Sequence, residues 1–379
     1  MNYRTAGESH GHGILGLLEG FPAGLEVDVA AIDAELRRRQ VACGRGDRKN
    51  IEFDKVEFLS GLYRGETIGS PIALWVKNKD FRIDSAPDLY TPRPGHADLP
   101  GSIKYGLPIR PILERASARE TAGRVAAGAL TKQLLAKWGI EVVGFVRTIA
   151  YSDIVPKNLN ELGPAELLDL RSKSKVLGVC PDEDSFLETL ISVAESHDDT
   201  VGGVVEVRAF GLPIGLGSHV QWDERLDGKL AQAVMSIQAV KGIQIGEAFG
   251  NECQTGAAYH DFIIYDPKQE QSRTRGFARS PNNAGGIEGG MTNGQPLVLR
   301  AYVKPIPTLK MGFPTIDLRT KEPTMTVYER SDICAVPATS VIAENVVALE
   351  LTKAILIKYG GDSVEEITGR IDCDTVQRH

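Results

Sequence analysis

A chain of 379 residues with 42% hydrophobic and 25% charged side chains can bury a large core, which places it among folded globular proteins. Its formal net charge of -7 argues against a general binder of nucleic acid or of an anionic membrane, because either would carry a basic excess. The apolar run VVALELTKAILI is broken by Glu350 and Lys353, and the chain does not start with the basic-then-apolar order of a signal peptide, so no membrane span and a cytoplasmic location are expected. Five scattered cysteines with no CxxC pair suggest neither a disulfide framework nor a zinc site.

In chain order, the first unusual stretch is AGESHGHG, Ala6 to Gly13, which sets Ser9, His10 and His12 among glycines. A metal pair is a poor reading, since one residue separates the two imidazoles and no third ligand is apparent. DVAAIDAELRRRQ reads as a helix capped by Asp28, with Val29, Ile32 and Leu36 at helical spacing, and its basic end opens into a glycine loop around Gly44. VEFLSGLYRGETIGSPIALWVKN reads as two strands around a glycine-rich turn. RPGHAD, Arg93 to Asp98, holds His96 behind Pro94 and Gly95 with polar neighbours, as an acid–base group requires; a bland turn histidine fits the same residues.

SARETAGRVAAGALTKQLLAKWG is expected to be one long helix whose small Ala122, Ala126 and Ala129 allow close packing. ERASARET then puts Arg115 and Arg119 four apart, on one helix face near Ser117 and a helix start, an arrangement that attracts phosphate or carboxylate. Ion pairing with Glu114 and Glu120 is the alternative. A strand from Val142 to Ile149 follows, then a less patterned stretch from Val155 to Val176, a helix in DEDSFLETLISVAESHDD and a strand in VGGVVEVRAFGLP. WDERLDGKLAQAVMSIQAVKG is expected to be an amphipathic helix. GGIEGG matches neither GxGxxG nor GxxxxGK[ST], so no Rossmann or P-loop fold is read from it. KPIPT, residues 304 to 308, is a rigid cationic turn, and RSDICAVPA brings Arg330 and Asp332 just ahead of the long apolar helix PATSVIAENVVALELTKAILIKYGG, stopped by two glycines. His197, His219 and His260 read as surface or strand-end residues.

Two patterns run across these elements. Arginines gather in three glycine-rich places, RRRQVACGRGDR, the stretch from Arg110 to Arg124, and SRTRGFARS, where guanidinium groups can grip anions while glycine lets the backbone approach. The alternative is three solvated, ion-paired faces. Residues 61 to 74 and 286 to 299 also share G-[LI]-x-x-G-x-T-x-G-x-P-[LI]-x-L without a gap. That match predicts two related halves around a shared core in a single domain spanning 1 to 379.

Taken in order, AGESHG, RPGHAD followed by KYG, RASARET, QAVKG, GGIEGGMTNG, KPIPT and RSDICAVPA resemble the chorismate synthase family over nearly the whole chain. The resemblance implies an α+β sandwich of antiparallel sheets around helices, usually assembled as a homotetramer. It implies a lyase that takes phosphate from 5-enolpyruvylshikimate 3-phosphate by 1,4-anti-elimination to give chorismate, in the shikimate pathway to the aromatic amino acids. The reaction uses reduced FMN (FMNH2) with no net redox change; NADPH would serve only as a source of reducing equivalents, and an external flavin reductase is an open alternative.

By the same resemblance His10, His96 and Asp332 are catalytic. His10 is the acid at the departing phosphate, His96 balances charge by the flavin N1, and Asp332 assists proton movement at N5. Ser9, Arg39, Arg45, Arg48, Arg93, Arg119 and Arg330 surround substrate or cofactor anions. Arg115, Ala116, Ser117, Gln238, Ala239, Gly289, Lys304, Pro305, Ile306, Pro307, Thr308 and Arg330 match the positions used for FMN, and no metal is expected. Ala116 stands where many relatives have a second serine, and Asp47 enters the basic loop. A flavin reductase or dehydrogenase and a binding module for phosphorylated ligands or RNA are the competing classes.

Overall fold

Two antiparallel sheets form the outer layers of the computed structural model, and helices fill the space between them. The structure describes residues 1–41, 43–44, 53–249, 254–329 and 331–376. The first sheet contains β1 (Asn2–Ala6), β2 (Gly13–Glu19), β3 (Val56–Ser60) and β6 (Ile72–Lys77), with the small hairpin β4 (Leu62–Tyr63) and β5 (Glu66–Thr67) ahead of β6. Its spatial order is β1-β2-β6-β3. Alternation along β2 and β6 turns Ile14, Leu18, Ile72, Leu74 and Val76 inward, where all are buried. Helices α1 (Val29–Val41), α2 (Asp98–Tyr105), α3 (Ile109–Ala116) and α4 (Thr121–Lys137) complete this half. Asp28 caps α1 as expected, its Oδ1 accepting from the Ala31 N–H at 3.0 Å.

The second sheet contains β7 (Glu141–Ile149), β8 (Ser152–Asp153), β9 (Gly203–Phe210), β10 (Val240–Ile245) and β15 (Leu297–Val303), in the order β10-β15-β9-β7-β8. Helices α5 (Pro164–Lys173) and α6 (Asp184–Ser196) lie between β8 and β9, and α7 (Leu226–Met235) between β9 and β10. A short α8 (Gly256–Tyr259) and the hairpins β11 (Phe262–Tyr265)–β12 (Phe277–Ser280) and β13 (Ile287–Glu288)–β14 (Met291–Thr292) precede β15. The hairpin β16 (Pro314–Ile316)–β17 (Pro323–Met325), the long α9 (Val336–Tyr359) and α10 (Val364–Val376) follow it. Each half thus lays its four main strands in the spatial order first, second, fourth, third, and a long central helix follows each fourth strand.

Helix α4 packs on the first sheet, α9 on the second, and the two pack on each other. Small residues allow this: Ala122, Ala126 and Ala129 are buried, and a Cβ added at Gly128 would lie 2.4 Å from both Cβ and backbone O of Asn345. Among these helices the fully buried Glu344 carboxylate accepts from Arg171 at 2.6 Å and from Lys132, and meets Arg38 at 2.9 Å. No helix among the described residues is long and apolar enough to cross a membrane.

Two expected helices are shorter than the sequence pattern suggests. Ser117 is extended, and its Oγ accepts from the Arg119 N–H at 3.3 Å, so α3 ends at Ala116, a 3-10 turn follows and α4 starts only at Thr121. A serine side chain that satisfies a backbone N–H offers the chain an alternative to continuing the helix. In the second case α7 ends at Met235, Ala239 takes a left-handed φ of 70°, and the β-branched Val240 begins β10, so QAVKG is turn and strand.

Candidate active site

A cleft of about 540 Å³ opens where the two halves meet, walled by the loop between β1 and β2, the end of α1 and the α3–α4 junction on one side. The turn before β10, residues 304–308 and the start of α9 wall it on the other. Ser9 and His10 sit in the β1–β2 loop, which the buried Asn78 at the end of β6 holds in shape. Its amide donates to the carbonyls of Glu8 at 3.1 Å, Ser9 at 3.1 Å and Gly11 at 2.8 Å. The backbone N–H of His10 donates to Glu114 at 2.8 Å, and the ring Nδ1 lies 3.0 Å from both oxygens of that carboxylate. Burial pushes the Glu114 carboxyl up, but the hydrogen bonds from His10 and the nearby Arg110 charge leave it below its ordinary value. Ser117 donates to the Ser9 hydroxyl at 3.1 Å.

Two buried guanidinium groups share one carboxylate on the floor. Arg119 donates to Asp54 at 2.6 Å and to the Asn78 carbonyl oxygen at 2.8 Å, while Arg39 lies 3.7 Å from Asp54 and donates to Thr121 and to the Ala118 carbonyl, both at 2.9 Å. Arg82, Lys241 and Lys304 add positive charge along the walls, against Glu329 and Asp332. Burial and the neighbouring Lys241 ammonium lower the Lys304 amine from its ordinary value.

The second imidazole is held differently. His96 Nδ1 makes a short hydrogen bond to Asp98, which also accepts from Arg93 Nε at 2.8 Å and Nη2 at 3.0 Å. Burial would raise the Asp98 carboxyl, yet the bonds from His96 and Arg93 outweigh it and hold it well below the usual carboxylate range. Arg93 Nη1 reaches across to the Thr308 hydroxyl at 2.9 Å, so this cluster ties the RPGHAD loop to KPIPT.

The cleft therefore gathers Ser9, His10, Arg39, Arg93, His96, Ala116, Ser117, Arg119, Gln238, Ala239, Lys304, Ile306, Pro307, Thr308 and Asp332. Pro305, Arg115 and Gly289 are not among its lining residues. Arg115 does not share a face with Arg119, because the break at Ser117 separates them: Arg119 is buried, while Arg115 donates to the carbonyls of Thr5 and Gly7 at 3.0 Å and borders another groove. Gly289 occupies the β13–β14 turn. Arg45, Asp47, Arg48 and Arg330 lie outside the described residues. His12 stacks on Phe81, with ring centroids 4.1 Å apart, and no cluster able to hold a metal occurs among the described residues.

Sequence reasoning missed Glu114 as the His10 partner, along with Asn78, Asp54, Arg82 and Lys241. Glu114 stands inside ERASARET but was legible there only as an ion-pair partner for arginine, and nothing around Asn78 marks it. The cleft also suits a flavin. Gln238 donates to Glu120 at 3.3 Å, and its buried Oε1 is left with no hydrogen-bond partner, an acceptor that a ring N–H would satisfy.

Comparison with known proteins gives the arrangement its family. The chorismate synthase family model matches residues 1–356. Chorismate synthase from Geobacter sulfurreducens is 47% identical over 97% of this chain and 96% of its own length, and that from Geotalea uraniireducens is 48% identical over the same shares. A solved structure described as the crystal structure of chorismate synthase superposes with a TM-score of 0.81 at 38% identity, covering 99% of this chain and 97% of the other. The chain therefore belongs to the chorismate synthase family and is a lyase of the shikimate pathway that makes chorismate.

Proposed function

We propose that the cleft binds 5-enolpyruvylshikimate 3-phosphate beside reduced FMN and carries out 1,4-anti-elimination of phosphate. The observation that carries this reading is the convergence of two imidazoles, each bonded at Nδ1 to a buried carboxylate, with Arg39, Arg93 and Arg119 in one cleft shared by both halves. A doubly anionic phosphate and the substrate carboxylates call for such a local concentration of guanidinium groups in an otherwise acidic chain. Arg39, Arg93 and Arg119, and by family resemblance Arg45, Arg48 and Arg330, bind substrate or cofactor anions. His10 gives a proton to the departing phosphate, and the Ser9 hydroxyl, itself receiving from Ser117, helps to hold that oxygen.

Ala116, Ser117, Gln238, Ala239, Lys304, Ile306, Pro307 and Thr308 would hold the flavin. When bound, reduced FMN would supply electron density for C–O cleavage and a place for the C6 hydrogen. His96 would stand by the flavin as a proton and charge balance, its ring oriented by Asp98, and Asp332, which also lines the cleft, would manage a proton. NADPH enters only as a source of reducing equivalents, directly or through a separate reductase.

The chain is proposed to act in the cytoplasm and to form one domain of two related halves; the matching strand orders and a hydrophobic core cluster running through both sheets support the domain reading. A homotetramer is also proposed. Arg115 and Gly289, which the family resemblance sets at the flavin, are not in the cleft of their own chain, and a second chain would be needed to bring them to it.

The test is anaerobic phosphate release from the substrate with substoichiometric dithionite-reduced FMN, chorismate being followed by absorbance. Many turnovers per flavin are expected, with His10→Ala and His96→Ala each reducing kcat by about 100-fold or more. Stoichiometric NAD(P)H consumption would instead favour a dehydrogenase, and normal turnover in both variants would overturn the residue roles.

A further inference from the structure

The protonation state of His10 is constrained by a group outside the sequence motif that contains it. Glu114, on the last turn of α3, has no exposed side-chain surface, and it receives the Ser9 and His10 segment at three points. Its backbone oxygen accepts from the Ser9 N–H at 3.0 Å, and its carboxylate accepts from the His10 N–H at 2.8 Å and faces the ring Nδ1 at 3.0 Å with both oxygens. An ionised carboxylate has only acceptors, so the Nδ1 it faces must carry the proton. The proton of a neutral His10 is thereby assigned to Nδ1, and Nε2 is the nitrogen at which a second proton comes and goes.

We infer that Glu114 is the positioning residue for His10, fixing the Nδ1–H tautomer and stabilising the imidazolium whose Nε2–H protonates the departing phosphate. The inference rests on the reading of His10 as the acid. Over the whole elimination the electron pair of the C3–O bond leaves with the phosphate, the pair of the C6–H bond replaces it in the ring as the double bond shifts and a second one forms, the Nε2 proton transfers to a phosphate oxygen, and the imidazole returns to its neutral form with Nδ1–H still on Glu114. The logic is that of any imidazole whose far nitrogen is tied to a buried carboxylate.

The other charges around the pair do not replace this carboxylate. Arg110 approaches Glu114 at 3.8 Å but directs its donors to Glu329, at 3.0 and 3.3 Å, and to the Pro87 carbonyl at 2.9 Å. Asp80 lies 3.8 Å from His10 Nε2 and is itself 3.4 Å from Arg82. The His96 site differs in kind. There Asp98 is shared with Arg93, whose Nη2 lies 3.1 Å from the imidazole Nδ1, so the carboxylate orients that ring while the guanidinium cancels much of its charge. One cleft thus contains one imidazole facing a carboxylate that it does not share with a close guanidinium donor and another whose carboxylate is shared with Arg93.

The experiment compares wild type, Glu114→Gln, Glu114→Asp and His10→Ala in the anaerobic assay, and records 15N spectra of histidine-labelled wild type, with the His10 signals identified by their loss in His10→Ala. Glutamine keeps an acceptor for Nδ1–H but removes the charge. Glu114→Gln is expected to lower kcat by about 100-fold with KM changed less than about threefold, and to move the alkaline limb of the pH–rate profile to lower pH; Glu114→Asp should restore part of the loss. In the wild-type spectra Nδ1 should be protonated throughout. An Nε2–H neutral tautomer would overturn the inference even if the variants do not fold, as would a folded Glu114→Gln with wild-type kcat and pH profile. If His10→Ala keeps normal turnover, the assignment of His10 as acid fails, and this inference with it; if His10→Ala is inactive while Glu114→Gln is unchanged, only the inference fails.

Discussion

Asn78→Ala should loosen the β1–β2 loop and so cost both stability and turnover. The amide has two N–H donors directed at three carbonyls, at 2.8 to 3.1 Å, and its oxygen accepts from the Arg119 guanidinium at 2.8 Å. Two neutral bonds at about 1 kcal/mol each, and one to a charged group at about 2 kcal/mol, put the loss near 4 kcal/mol. Unfolding entropy of about 2.1 cal/mol/K per residue over 379 residues converts that into a fall in Tm of about 5 °C. A displacement of His10 on the order of 1 Å would lower kcat by roughly 100-fold. Circular-dichroism melting and steady-state turnover check both numbers, and Asn78→Asp serves as a partner variant that keeps the acceptor for Arg119 but loses the donors. A Tm within about 1 °C of wild type, with unchanged kcat, would refute the claim that this side chain holds the loop, leaving the Asn78 N–H bond to the His12 carbonyl, at 2.9 Å, as sufficient.

Other substitutions test the frame around the site. Gly128→Ala would gain about 1 kcal/mol of helix propensity in isolation, but its Cβ would meet Asn345 at 2.4 Å and force α4 and α9 apart, so urea unfolding should show net destabilisation of about 1–2 kcal/mol; a stabilised variant would contradict the close packing. Glu344→Gln leaves Arg38, Lys132 and Arg171 without their common anion, and should cost about 3–5 kcal/mol at pH 7. Although burial pushes the Glu344 carboxyl up, these cations hold it well below the usual range, so its contribution is complete above about pH 4.5 and declines as pH falls further; the gap between wild type and variant in urea melts should shrink from there downward. A gap constant from pH 7 to pH 3 would argue against an ionised Glu344. Thr308→Val is nearly isosteric but leaves an Arg93 N–H unpaired, so it should raise substrate KM several-fold and cost about 1.5–3 kcal/mol of stability, read from steady-state kinetics and urea melts; wild-type values for both would show that this bond across the cleft is dispensable.

Local pattern and short motif carried much of this protein into view. The Asp28-capped helix, the long helix ending at Gly360 and the paired hairpin segments were legible because caps, helical spacing and glycine turns are properties of a few consecutive residues. His10 and His96 also stand in glycine- and proline-rich stretches that no core helix or strand would favour, whereas Arg275 and Arg279 of SRTRGFARS pair with Asp374 and Glu288 outside the cleft, the ion-paired alternative for that cluster.

What only the tertiary structure decided depends on residues far apart in the chain. The sequence suggested that Arg115 and Arg119 share a face. One hydroxyl, that of Ser117, broke the helix between them, and only Arg119 reached the cleft, where Asn78 and Asp54 receive it. The Glu114–His10 contact spans 104 positions and the Arg93–Thr308 contact 215, so no window of local sequence contains either. The motifs that line the cleft were thus visible in the sequence, while the roles given to them came from family resemblance. Their hydrogen-bond partners, and through them the orientation of each imidazole, were decided by how two sheets close over one layer of helices, because hydrogen bonding and desolvation act between whichever groups the folded chain brings together.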